Sequence, residues 1–160
     1  MRLESGTQLP ARAARLLRVH YLFVLAVVVL GVLVWVPEAE GRLLPARWAC
    51  LMVSLYLWQV AGIYLAGLFR QDDAPRPVAG LGLALSMPLT VSLLAWLLPE
   101  AGRAAVLLIA LIWLALIEHL PSQRTYWPAA WLQSRRQQTQ LLAVALASVA
   151  VAVWSAGQMY

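Results

Sequence analysis

Five apolar stretches separated by short arginine-bearing segments occupy most of this chain: 19–36, 48–69, 78–98, 104–120 and 141–159. Each is near the ~20 residues that a helix needs to cross the hydrocarbon core of a bilayer. The expected fold is therefore all-α: a polytopic membrane bundle of five spans forming one domain over residues 1–160. The runner-up has four spans, with the third and fourth stretches fused as a re-entrant hairpin. Composition agrees, since 62% hydrophobic and 12% charged residues exceed the apolarity that a soluble domain of this size needs.

The net charge of +5 is read through its placement. All 12 basic residues are arginine. Arg2, Arg12, Arg15 and Arg18 precede the first stretch, Arg70 and Arg76 follow the second, and Arg124, Arg135 and Arg136 follow the fourth. The alternate side holds Arg42, Arg47 and Arg103. Arginine-rich short loops stay cytoplasmic, which places the N-terminus inside and, with five spans, the C-terminus outside a bacterial inner membrane. The first stretch exceeds the apolar run of a signal peptide, and Pro37, Glu38, Ala39 and Glu40 do not supply small residues at cleavage spacing, so an uncleaved signal anchor is expected. The polar loops are too short for a basic, aromatic nucleic-acid surface.

Two segments belong to the membrane surface in this reading. Residues 1–18 form a basic cytoplasmic segment in which Arg12, Arg15 and Arg18 recur every three residues at the headgroup layer, orienting the chain or binding anionic lipid. Residues 121–138 form an interfacial loop in which Tyr126, Trp127 and Trp131 interleave with Arg124, Arg135 and Arg136, with Pro128 setting a helix start.

Polar and small residues inside the stretches are the candidate sites. Gln59 lies near the middle of the second stretch, and an amide at that depth must find a partner. Gly62 and Ala66 form a small-xxx-small pair on the same side. In the third stretch Pro88 breaks the helical hydrogen-bond ladder, with Ser86 and Thr90 beside the kink and Gly82 on their face. A broken, hydroxyl-lined helix can bind a solute at the midplane or serve as ordinary packing. Glu118 extends the stripe Leu107, Leu111 and Leu114 to the end of the fourth stretch, where snorkelling into water or pairing with Arg124 or another loop arginine is expected. In the fifth stretch Ala143, Ala147, Ala150 and Gly157 mark one small face, and Ala145, Ser148, Ala152 and Ser155 another, which implies two close helix neighbours.

Catalytic constellations are not apparent. His20 and His119 fall at stretch ends rather than within the spans, a poor arrangement for a haem pair. Asp72 and Asp73 form an acidic pair without a third spaced carboxylate. Cys50 is the single cysteine, so intramolecular disulfide chemistry is excluded. No cofactor or metal is expected.

The leading functional expectation is a small non-enzymatic subunit or accessory protein of a larger membrane complex, working through helix faces and partnered by lipid and other membrane subunits or by copies of itself. The alternative is a small oligomeric transporter or ion-conducting unit that uses Gln59, the Pro88 kink and a titrating Glu118. The orientation is tested directly: a reporter active only outside the cytoplasm, fused after Tyr160, is expected to be active. Activity of a cytoplasm-only reporter at the same position would overturn the topology.

Overall fold

The computed structural model describes residues 11–69, 86, 89–119 and 127–157, and among them every regular element is helical. Helix α1 spans Ala11–Leu33, α2 Leu43–Phe69, α3 Glu100–His119 and α4 Ala129–Gly157. A 3-10 turn, Ala39–Arg42, joins α1 to α2, and a short helical stretch over 89–94 runs into a second 3-10 turn, Ala95–Leu97. The four α-helices are long and apolar enough to cross a membrane.

Prolines set several boundaries. α1 stops just before Pro37, whose ring disfavours helical geometry in the preceding residue, and its last turns tighten into bonds from the Trp35 and Val36 amides to the Val32 and Leu33 carbonyls. Pro45 falls in the first turn of α2, where the helix has no intrahelical partner for an amide. The carbonyls of Pro99 and Pro128 accept the first-turn amides of Arg103 and Leu132 and so start α3 and α4. α4 begins at Ala129, not at Leu141, so the second half of the expected interfacial loop is continuous helix.

Side-chain pairs fix the helix directions. Arg47 and Glu100, at the starts of α2 and α3, form an ion pair at 2.7 Å, while Tyr64 and Glu118, near their ends, are hydrogen-bonded at 2.8 Å. α2 and α3 are therefore parallel, and the chain leaves α2 at one end of the bundle and enters α3 at the other. α4 runs against both, since Arg136 reaches the Glu118 carbonyl at one end and Arg42 reaches the Ala152 carbonyl at the other. α1 lies parallel to α4, through Tyr21 on Gln137 and Trp35 on Ser148.

α4 is the helix against which the other three pack. Its buried side chains, among them Trp131, Arg135, Gln138, Leu142, Ala145, Val149, Ala152 and Ala156, recur at three- and four-residue steps, which makes one continuous inward face. Ala143, Ala147 and Ala150 flank that face half-buried, so the small face with Ala145 and Ala152 is the one at the centre. Layers of Val24, Val27, Val53, Leu107, Leu111 and Leu146 fill the middle of the bundle. The exterior is apolar: Leu22, Leu25, Val29, Leu55, Ile109, Leu116, Val144 and Trp154 are all exposed. So much exposed apolar surface is compatible with a membrane protein and uncommon on a soluble monomer.

The tightest helix approach is at Gly31. A Cβ there would lie 3.0 Å from the Ala145 carbonyl oxygen and 3.3 Å from its Cα, backbone atoms that cannot turn aside. Beside it Ser148 donates to the Gly31 carbonyl and accepts from the Trp35 indole, stitching α1 to α4. Gly31→Ala is expected to destabilise the bundle by about 1–3 kcal/mol through overpacking. Gly62→Ala, at a position with nothing within 4 Å, is expected to be neutral or mildly stabilising because alanine is the better helix former. Denaturation in mild detergent compares the two, and equal effects would refute the assigned α1 to α4 packing.

Candidate functional site

A cluster of polar side chains lies inside the bundle near the end that carries Arg15, Arg18 and Arg136. Its centre is an ion pair from Arg135 Nε to Glu118 Oε1 at 3.3 Å, with 1% and 0% side-chain exposure. Tyr64 of α2 donates to the same carboxylate oxygen at 2.8 Å. The other side of the guanidinium is also occupied: Nη1 donates to the Tyr56 hydroxyl at 2.7 Å and to Gln138 Oε1 at 3.0 Å, and its carbon lies 4.8 Å from the centroid of the Tyr56 ring. Gln138 Nε2 in turn reaches the Leu17 carbonyl of α1 at 3.5 Å. Buried His20 packs edge-on against Tyr56. Each of the four helices thus contributes to one centre.

Local sequence explains the convergence. On α4, Trp131, Arg135, Gln138, Thr139 and Leu142 follow the spacing of its inward face, so the helix that buries the apolar layers also carries the arginine inward. Thr139 returns its hydroxyl to the Arg135 carbonyl. On α3, Glu118 continues the buried stripe Leu107, Leu111 and Leu114. On α2, Val53, Tyr56, Leu57, Val60 and Tyr64 form the buried face. Tyr64 also meets Trp127 edge-on, and Trp127 stacks on Trp131, closing the arginine-rich end with aromatic surface.

The depth follows from helix geometry. At 1.5 Å per residue, Arg135 lies about 30 Å along α4 from Ser155, roughly one hydrocarbon thickness. At that opposite end Arg42 donates to Ser155 and to the Ala152 carbonyl and lies over Trp35. Arg103 donates to the Ala95 and Leu98 carbonyls over Trp96, and Arg47 pairs with Glu100. The arginines of that end are engaged in closing helix termini and turns.

Several expected positions differ. Glu118, expected to snorkel or to pair with Arg124 or another loop arginine, is buried because its stripe is the interior of the bundle, and it pairs with Arg135. Arg135 and Trp131, expected at the membrane surface, are buried within α4 because the helix begins before them. Arg136 keeps a half-exposed position and caps the α3 end at the Glu118 carbonyl, and Arg15 and Arg18 are exposed. Gln59 and Gly62 face outward on α2, away from Tyr56 and Tyr64. Ser86 and Thr90 are exposed, with the Thr90 hydroxyl on the Ser86 carbonyl. Gly82, Pro88, Arg124 and Tyr126 lie outside the described residues, as do the side chains of Arg12 and Ala66. Tyr56, Tyr64, Gln138 and His20 were not singled out as parts of one site. For Gln138 the signal is the in-phase spacing of Trp131, Arg135, Gln138 and Leu142, which continues the fifth stretch backward past its first apolar residue.

Among the described residues no group of three or more histidine, cysteine, aspartate or glutamate side chains could hold a metal ion. No family model, curated protein or solved structure matches the chain.

The ion pair gives a sharp expectation. Glu118→Gln leaves a buried guanidinium without its counter-charge and is expected to destabilise the bundle by about 3–5 kcal/mol. Replacing both partners by leucine is expected to cost far less, since that removes both desolvated charges together. Denaturant titrations of Glu118→Leu, Arg135→Leu and the double variant in micelles measure the coupling, and additive losses would refute a direct pair.

Proposed function

We propose that this chain is a bacterial inner-membrane protein of five spans, with its N-terminus in the cytoplasm, that serves without catalysis of its own as a subunit or accessory protein of a larger membrane assembly. Two observations support the topology. α2 ends at one end of the bundle and the parallel α3 begins at the other, which supports five spans over four. Exposed Arg15 and Arg18 and half-exposed Arg136 gather at one end, the distribution that the positive-inside rule assigns to the cytoplasm.

The observation that carries the subunit reading is Gln59. The buried centre turns its charges inward and pairs them within the chain, whereas this mid-helix amide faces outward beside Gly62, whose missing side chain leaves open space. Lipid cannot satisfy an amide, and a glycine beside it lets another helix approach closely. The outward face of α2 is thus suited to a helix of a partner.

A small oligomeric transporter or ion-conducting unit is the second reading, and the burial of Glu118 favours it, because ionisable side chains inside membrane bundles often mark ion or solute pathways. Purification from its native membrane in mild detergent separates the two. A stable hetero-complex of fixed stoichiometry supports the subunit reading, with Gln59→Leu expected to weaken association by ~1 kcal/mol, the usual worth of such a hydrogen bond. A homo-oligomer with pH-dependent solute flux in proteoliposomes, lost in a Glu118 variant that still assembles, would overturn it.

A further inference from the structure

The polar centre is incompletely satisfied by its own side chains. Glu118 Oε2, Arg135 Nη2, His20 Nδ1 and Trp131 Nε1 are each buried without a hydrogen-bond partner, and the four residues that carry them are all more than nine-tenths buried. Two of these atoms belong to the ion pair itself. Arg135 Nε holds Glu118 Oε1, while the second nitrogen and the second oxygen of what could be a two-pronged fork remain open. Unpaired buried groups of this kind are rare in folded proteins, because each one forfeits the hydrogen bonds it made to water.

The free groups restrict what could complete them. Arg135 Nη2 and Trp131 Nε1 only donate, and Glu118 Oε2, as a carboxylate oxygen, only accepts. An anion would meet the free carboxylate oxygen, and a cation would meet the free guanidinium edge. A small neutral molecule that both donates and accepts serves both. We infer that the polar centre is an internal hydration site, in which water held by the open prongs of Glu118 and Arg135 completes the hydrogen bonding of the four-helix cluster.

The surroundings enclose the site. Toward the arginine-rich end, Trp127 stacks on Trp131 and half-exposed Arg136 donates to the Glu118 carbonyl. Toward the other end come Val27, Val53, Leu111, Leu142 and Leu146, an apolar layer of the kind that stays dry. The water is therefore held inside the bundle, between the aromatic surface of Trp127 and Trp131 and this apolar layer.

Hydroxyl-radical footprinting by X-ray radiolysis of the intact protein in lipid nanodiscs tests this, because radicals formed from bound water modify the side chains beside it. Tyr56 and Tyr64 are buried, whereas Trp58 and Trp113 face outward on the apolar exterior. The expected result is several-fold faster modification of both tyrosines than of Trp58 and Trp113. Modification of either tyrosine at the rate of those tryptophans would overturn the inference, since a sealed, dry centre should be as protected as lipid-facing surface. In the Glu118→Leu, Arg135→Leu double variant, Tyr56 modification is expected to fall to the rate of Trp113, and persistence at the original rate would show that the pair does not hold the water. Should the double variant fail to fold, the comparison within the unaltered protein decides the matter by itself.

Discussion

The ion pair between Glu118 and Arg135 sets the terms for the rest of the bundle. Two charges removed from water lose several kcal/mol of hydration apiece, and only close pairing with further hydrogen bonds offsets that loss. Tyr64, Tyr56 and Gln138 supply those bonds from α2 and α4, and Gln138 extends the connection to α1. The penalty for separating the charges is high in apolar surroundings. The end of α3 is thereby held to the first turns of α4, and the register of α2 against both follows from its two tyrosines.

Above this centre the packing has a different character. Valines, leucines and alanines interlock without directional bonds, and the close approach of α1 to α4 depends on Gly31 having no side chain. Apolar packing by itself tolerates sliding, because similar side chains can exchange neighbours at little cost. Directional contacts at both ends limit that freedom: the buried pair at one, and Arg42, Arg47 and Arg103 on helix termini and turns at the other. Their roughly 30 Å separation along α4 matches the thickness of a hydrocarbon core.

The same division frames the functional reading. Charge inside the bundle is matched by charge, so the centre has no net demand for an ion and only an unmet need for neutral hydrogen bonding. Outside, the apolar surface is interrupted by the exposed amide of Gln59. The outward amide is the feature on which the proposed subunit role rests, and hydration of the buried centre is compatible with that role.

The helical class was legible in the sequence because stretch length and apolarity act locally: a run of about 20 apolar residues has few alternatives in lipid. That Glu118 continues the stripe of Leu107, Leu111 and Leu114 was legible as well, but that this stripe faces the interior was not. Its environment was not, because one helix face says nothing about what packs on it. Arg135 was read at the surface for a related reason. Counting apolar residues starts the fifth stretch at Leu141, whereas the helix starts at Ala129 and keeps its inward phase through the polar residues between. Gln59 shows the converse: mid-span depth suggested an interior partner, yet 3.6-residue periodicity on α2 gives the interior to Tyr56, Val60 and Tyr64. Sequence alone determined which segments are helical and apolar. Tertiary structure decided which polar groups share a space, because the pairing of Glu118 with Arg135 depends on how four helices face one another, and no local pattern encodes that.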